Sequence, residues 1–82
     1  MSNIFSLREI KSHNNIDDCW LIANNNVYDA TSFLKEHPAH SKRVLKYAGT
    51  DVTNDFKFHT KNQKDEWKKY FIGYVDNYNH KI

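Results

Sequence analysis

Thr31-Ser32-Phe33-Leu34-Lys35-Glu36-His37-Pro38-Ala39-His40 is the stretch on which the reading turns, and Phe56-Lys57-Phe58-His59 answers it further along the chain. The histidines His37 and His59 stand 22 positions apart. Pro38 has no backbone N–H to donate and disfavours helix in the residue before it. A helical turn whose inner face is Phe33 and Leu34 therefore ends at His37, which is left on a loop tip with a fixed support behind it. Imidazole binds iron through a neutral ring nitrogen, and two imidazoles can fill both axial positions of one haem iron. On spacing alone, His37 reads as a surface histidine beside a proline turn. The surrounding chain has to decide.

With 82 residues there is room for one domain, residues 1–82, with a core expected over residues 6–75 and a polar tail over 76–82. A chain this short buries only about 60% of its unfolded surface and is marginal without a supplement. Cys19 is the only cysteine, so no disulfide forms within the chain. The absence of a Cys-x-x-Cys-His run also rules out covalent haem attachment of the c type. No apolar run approaches the roughly 18–20 residues of a membrane span, and neither terminus carries a signal peptide or lipidation motif. A soluble monomer in the cytoplasm, without a membrane anchor, is the expectation. Twelve basic residues against ten acidic ones make the chain only mildly basic, below what a nucleic-acid binder shows.

In chain order, Ser6 caps a short helix with Glu9 reaching back to it, and the helix lapses in Ser12-His13-Asn14-Asn15. Cys19-Trp20-Leu21-Ile22-Ala23 is an apolar run of strand length, covered on both faces. Asn24-Asn25-Asn26 turns it back into Val27-Tyr28-Asp29. Thr31 or Ser32 caps the turn that ends at His37. Ser41 is expected to cap a helix from Lys42 to Ala48, stopped by Gly49. Thr50 or Asp51 opens a short helix over 52–58, and Asn62 caps another through Trp67 and Tyr70. Phe71-Ile72-Gly73-Tyr74-Val75 closes as a strand. Cys19 is read as a small buried hydrophobe, Trp20 and Tyr28 as a second small core beneath the pocket, and His13 and His80 as surface residues.

Several segments resemble the cytochrome b5 family, in the family's order: Asp17 to Ile22, Val27 to Pro38, Ala48 to Phe56 and Lys69 to Val75. The likeness runs from about Ser6 to Val75, nearly the whole chain. It implies an α+β fold, a short mixed sheet with two helix pairs forming a haem pocket. It implies non-covalent haem b with His37 and His59 as axial ligands, and one-electron transfer between a reductase and an acceptor protein rather than catalysis. By the same resemblance Phe33, Val44 and Phe56 face the haem, Phe58 is a further candidate, and Thr60 matches the residue that hydrogen-bonds a haem propionate. Two departures stand out. The family's first loop reads His-Pro-Gly-Gly where this chain has His37-Pro38-Ala39-His40, and the gap from Phe56 to the second histidine is shorter here.

Three other readings are kept in view. His40 is most simply solvent-exposed or near the propionates, but it is also a rival to His37 as ligand. A zinc site from His37, His40 and His59 lacks the fourth, usually thiolate, ligand that structural zinc takes. A haem- or small-ligand-binding module without a carrier role is the alternative function. The charge pattern adds an expectation about partners. Relatives in the resembled family present acidic residues around the haem edge, whereas Lys42, Arg43 and Lys46 follow His37 here and Lys57 and Lys61 flank His59. An acidic-faced redox partner fits that pattern, and lysines scattered on a solvated face are the plainer account.

Overall fold

Asn24 and Asn25, at φ 51° and 69°, both adopt the left-handed conformation that a two-residue hairpin turn demands. In the computed structural model, which describes residues 3–57 and 59–76, that turn joins β3 (Asp18–Ala23) to β4 (Asn26–Asp29) at the centre of a mixed sheet. The strand order is β1-β5-β4-β3-β2, with β1 (Asn3–Phe5), β2 (Asn14–Asn15) and β5 (Phe71–Val75). Of the strand pairs among the described residues only β1–β5 is parallel, with a single parallel bridge, Ile22 to Asp51, outside the strands. Five α-helices complete the fold: α1 (Leu7–Ser12), α2 (Thr31–Glu36), α3 (Pro38–Leu45), α4 (Thr53–Phe56) and α5 (Lys61–Trp67), the last continued by a 3-10 turn at Lys68–Tyr70. Among the described residues no helix is long and apolar enough to cross a membrane.

Strand period 2 splits β3 between two cores. Ile22 and the half-buried Trp20 point to one side, where they meet Ile10 and Leu7 of α1, Val27 and Val75. Cys19, Leu21 and Ala23 point to the other, under Leu34 and Phe56 of the two helix pairs. The buried run of β3 is thus covered on both faces, as its composition suggests. Tyr28 departs from expectation. It follows Val27 in β4, so its side chain takes the opposite face, joining Ala23, Phe56 and Tyr70 instead of Trp20. Burial pushes the Cys19 thiol up to about 11, with the negative charges of Asp29 and Asp18 adding to the effect, so it stays neutral and inert.

The loop between the helix pairs is fastened to β3. Gly49 N–H donates to the Trp20 carbonyl at 2.6 Å, Ile22 N–H to Thr50 at 3.0 Å, and Val52 N–H to Ile22 at 2.7 Å. Thr53 Oγ1 also accepts from Asn24 N–H at 2.9 Å. Gly49 lies at φ 76°, left-handed, but α3 already ends at Leu45 with Lys46 as its C-cap, so the helix expected to run to Ala48 stops short of the glycine.

Several helix starts differ from the sequence reading. Thr31 and Ser32 do not cap α2; the Asp29 carboxylate does the equivalent work by accepting from Thr31 N–H at 3.1 Å. Thr31 Oγ1 in turn accepts from Cys19 N–H. α3 begins three residues before Ser41, because Pro38 fits the first helical position, where its missing N–H costs nothing. Ser41 sits inside the helix and donates its hydroxyl to the Pro38 carbonyl. α4 is a single turn, shorter than the expected 52–58. Thr60, not Asn62, caps α5, in a capping box with Gln63. The edge strands β1 and β2 were not expected. Both are very short; β1 finds its partner β5 only through the tertiary fold, whereas β2 pairs with β3 across the two residues Ile16 and Asp17.

His13 is the largest surprise in the fold. Its ring stacks on Trp20 with centroids 3.5 Å apart and planes 8° off parallel, and its side chain is only 19% exposed. Nδ1 meets Asp18 at 2.6 Å and Nε2 meets Glu9 at 2.7 Å, so Glu9 turns to His13 instead of closing the box on Ser6. Ser6 still accepts from Glu9 N–H. Burial alone would lower the His13 pKa, but the hydrogen bonds to Asp18 and Glu9 and their charge outweigh it, leaving it above its ordinary 6.5. A raised folded-state pKa stabilises the fold fully below the unfolded value and less as pH climbs through the folded one. Melting temperature is therefore expected to fall in the wild type as pH rises from the ordinary histidine value of 6.5 through the raised pKa of His13. His13→Gln should flatten that slope. An equal slope in both proteins, read by circular dichroism, would refute the assignment.

Candidate functional site

His37 occupies the joint between α2 and α3, at φ −129° and ψ 65°, as C-cap of one helix and N-cap of the next. Its N–H donates to the Phe33 carbonyl at 2.9 Å and its carbonyl accepts from His40 N–H at 2.9 Å. The backbone is thus pinned on both sides of a half-buried ring. Phe33 packs against that ring, with centroids 4.6 Å apart. Among the described residues, neither nitrogen of the His37 ring is engaged in a hydrogen bond, so both stay free to bind.

His59 follows α4 on the other helix pair. Its N–H donates to Phe56 at 3.0 Å, and its Nδ1 lies 3.1 Å from the Asp55 carbonyl oxygen. A carbonyl can only accept, so Nδ1 carries the proton and Nε2 keeps the lone pair. That is the arrangement by which a metal-binding histidine has its orientation and tautomer set by the group behind it. The His59 ring rests against Phe56 at 5.7 Å and meets Trp67 edge-on at 5.9 Å.

Between these positions runs an apolar wall. Phe33, Val44, Leu45, Ala48, Val52 and Trp67 are only partly buried where they pack on the core of Cys19, Leu21, Ala30 and Leu34. Phe33, Val52 and Trp67 also pack on the second group, which contains Phe56 and Tyr70. Of the residues expected to line the site, Phe33 therefore stands at His37, Phe56 at His59, and Val44 on the same wall. Thr60 uses its hydroxyl oxygen to accept from Gln63 N–H, which leaves the hydroxyl proton for another acceptor. Phe58 lies outside the described residues, as does His80. Tyr70 was not anticipated as part of this region. Its ring meets Phe33 edge-on at 6.1 Å, and its buried hydroxyl has no hydrogen-bond partner among the described residues.

His40 is exposed, with its ring centroid 6.5 Å from that of His37. Among the described residues no three His, Cys, Asp or Glu side chains are grouped to hold a metal ion, so His37, His40 and His59 do not make a zinc centre. Two open surface depressions, of about 320 and 410 Å³, share one residue each with this region: the first is lined by Phe56 with Tyr28, Lys64 and Phe71, the second by Tyr70 with Thr31, Lys69 and Ile72. Neither is lined by His37 or His59. Donor chemistry marks the site here, not concavity. Two half-buried imidazoles on separate helix pairs, beside apolar side chains that water still reaches, fit a large flat apolar ligand carrying iron.

Residues 6–76 match the model of the cytochrome b5-like haem/steroid-binding domain. The chain belongs to this family. The domain is similar to cytochrome b5 of Borago officinalis, 42% identical over 78 residues that cover 93% of this chain. The chain spans 59% of that relative's length, less than two thirds. Its fold is close to the solved cytochrome b5 of Ostreococcus tauri virus 2, with TM-score 0.76 and 38% identity, covering 87% of this chain and 94% of that one. It is equally close to cytochrome b558 of Ectothiorhodospira vacuolata, described as a prokaryotic homologue of cytochrome b5, with TM-score 0.78, 25% identity and coverage of 90% and 99%. Two helix pairs over a five-stranded mixed sheet are the α+β architecture that this cytochrome b5-like domain shares with those structures.

Proposed function

We propose that this cytochrome b5-like domain carries single electrons between a reductase and an acceptor protein on a non-covalent haem b, with His37 and His59 as the two axial ligands. The observation that carries the reading is the His59 hydrogen bond to the Asp55 carbonyl, which leaves Nε2 as the binding nitrogen. Haem, when bound, supplies the reversible one-electron couple. The chain's own residues hold and shield it. His37 and His59 approach from different helix pairs, whose spacing is set by the Gly49–Thr53 segment bonded to β3. Phe33, Val44 and Phe56 restrict water on the apolar faces, and the Thr60 hydroxyl has a proton available for a propionate. Two protein ligands leave no open position for dioxygen or peroxide, which favours carrying over catalysis.

The family description also names steroid binding. A histidine with its tautomer fixed toward the site favours iron, since a steroid presents nothing that needs an imidazole lone pair. The partners are redox proteins, and we assign them acidic docking faces. The domain acts as a monomer in a reducing aqueous compartment such as the cytosol, consistent with its single inert thiol. The test is an absorption spectrum of the haem-loaded protein, oxidised and dithionite-reduced. Low-spin bands that sharpen and split on reduction, and that return on reoxidation, are expected. A high-spin spectrum, or failure to take up haem, would overturn the carrier reading.

A further inference from the structure

The electron-carrier reading requires a place where partners dock, and α3 presents one. Its Ser41, Val44 and Leu45 turn inward, together with Ala48 just beyond the helix. Ala39, His40, Lys42, Arg43, Lys46 and Tyr47 form the outer arc in water. From His37 to Thr50 the chain holds three fixed cations and no Asp or Glu. Lys42, Arg43 and Lys46 make no ion pair among the described residues; Lys46 lies 5.7 Å from the centroid of the Tyr47 ring. Two lysines that follow α5 are in a different state. Lys68 is paired with Asp65 at 3.0 Å and Lys69 with Glu66 at 3.3 Å. Near α4, Asp51 and Asp55 offset Lys57. Lys61 is also without an ion pair among the described residues, and Lys64 is half-buried with its Nζ 5.8 Å from the Phe56 ring centroid, so the exposed, unpaired cations that lie together are the three of the α3 stretch. One end of its arc, at His40, adjoins His37.

We propose that the outer arc of α3 is the docking surface for an acidic protein partner, with Arg43 and the 39%-exposed Tyr47 as its anchor and Lys42 and Lys46 as its rim. This rests on the carrier reading and gives it an address. Arginine and tyrosine are the side chains that most often dominate an interface, and a like-signed rim accelerates encounter with an opposite field. An anionic membrane fits less well. Lying in a bilayer surface needs an apolar helix face turned outward, whereas the apolar face of α3 is spent on the core.

The test uses the haem-loaded full chain and, as probe, a strongly acidic plant-type [2Fe–2S] ferredoxin, with a basic c-type cytochrome for contrast. Backbone amide shifts on adding the ferredoxin should concentrate on residues 39–47. Lys42→Glu/Arg43→Glu/Lys46→Glu should slow electron transfer from the ferredoxin by at least about 10-fold at low ionic strength and flatten its salt dependence. Lys61→Glu/Lys68→Glu should change it far less. Equal losses in the two variants, shifts centred on α5, faster reaction with the basic cytochrome, or tighter binding to phosphatidylserine vesicles than to ferredoxin would each overturn the proposal. The two readings fail separately. Docking on α3 without electron transfer would sink the carrier, and rapid dithionite reduction with no shifts on α3 would sink the surface.

Discussion

His37→Ala and His59→Ala each lose the low-spin spectrum of the haem-loaded protein and release haem at least about 100-fold faster than the wild type. The magnitude follows from a lower bound. Removing only a supporting hydrogen bond behind a metal ligand costs roughly 10–100-fold, and here the ligand itself goes. Neither loss comes from unfolding, because both rings are only half-buried and sit on helix ends whose backbone bonds remain. His40→Ala is the control and should keep the spectrum. Its ring is close enough to His37, at 6.5 Å between centroids, that the double variant His37→Ala/His40→Ala belongs in the series. A low-spin spectrum that survives in His37→Ala and disappears in the double variant would reassign the ligand to His40. Survival in His59→Ala would defeat the two-histidine assignment. Absorption spectroscopy and haem transfer to an excess of apomyoglobin read both quantities.

Gly73→Ala melts about 4–24 °C below the wild type. Gly73 is buried in β5, between Asn3 of the parallel strand β1 and Val27 of β4. A Cβ placed there overlaps the Asn3 carbonyl oxygen and comes within 2.8 Å of the Phe5 ring. Backbone on one side and an aromatic packed on Trp20 on the other leave little room to yield. Overpacking of this kind costs about 1–3 kcal/mol, and each kcal/mol moves the midpoint of a domain this size by about 4–8 °C. The expected mechanism is loss of β1, which carries Phe5 into the core beneath α1. Thermal melts by circular dichroism measure the shift. A drop below about 3 °C would mean that β1 adjusts freely and contributes little to stability.

The parts of this protein that were legible in the sequence depend on near neighbours along the chain. The Asn24-Asn25 turn needs only residues that tolerate positive φ. The β3 run is recognisable from its apolar composition, and the end of α2 at His37 follows from Pro38. The joint between α2 and α3, and the placing of Phe33 and Phe56 beside the two histidines, follow from spacings of three and four residues.

What escaped the sequence lies where a distant or competing partner decides. Asn3–Phe5 is too short to declare itself a strand and becomes one only because β5 offers an edge. Tyr28 looked like a companion of Trp20, yet the pleat sends it to the other face. Glu9 had two possible uses, and the stack of His13 on Trp20, with Asp18 opposite, drew it away from Ser6. Asp29, Pro38 and Thr60 each displaced the expected helix start because a better-placed group was already available. The sequence by itself therefore determined the hairpin and the end of α2, both set by short-range sterics, and its resemblance to the cytochrome b5 family implied the two candidate ligands. Only the tertiary structure decided which faces those side chains take, that His13 stacks on Trp20, and that the loop between the helix pairs is fastened to β3. Each of these depends on groups that meet only after the chain has closed.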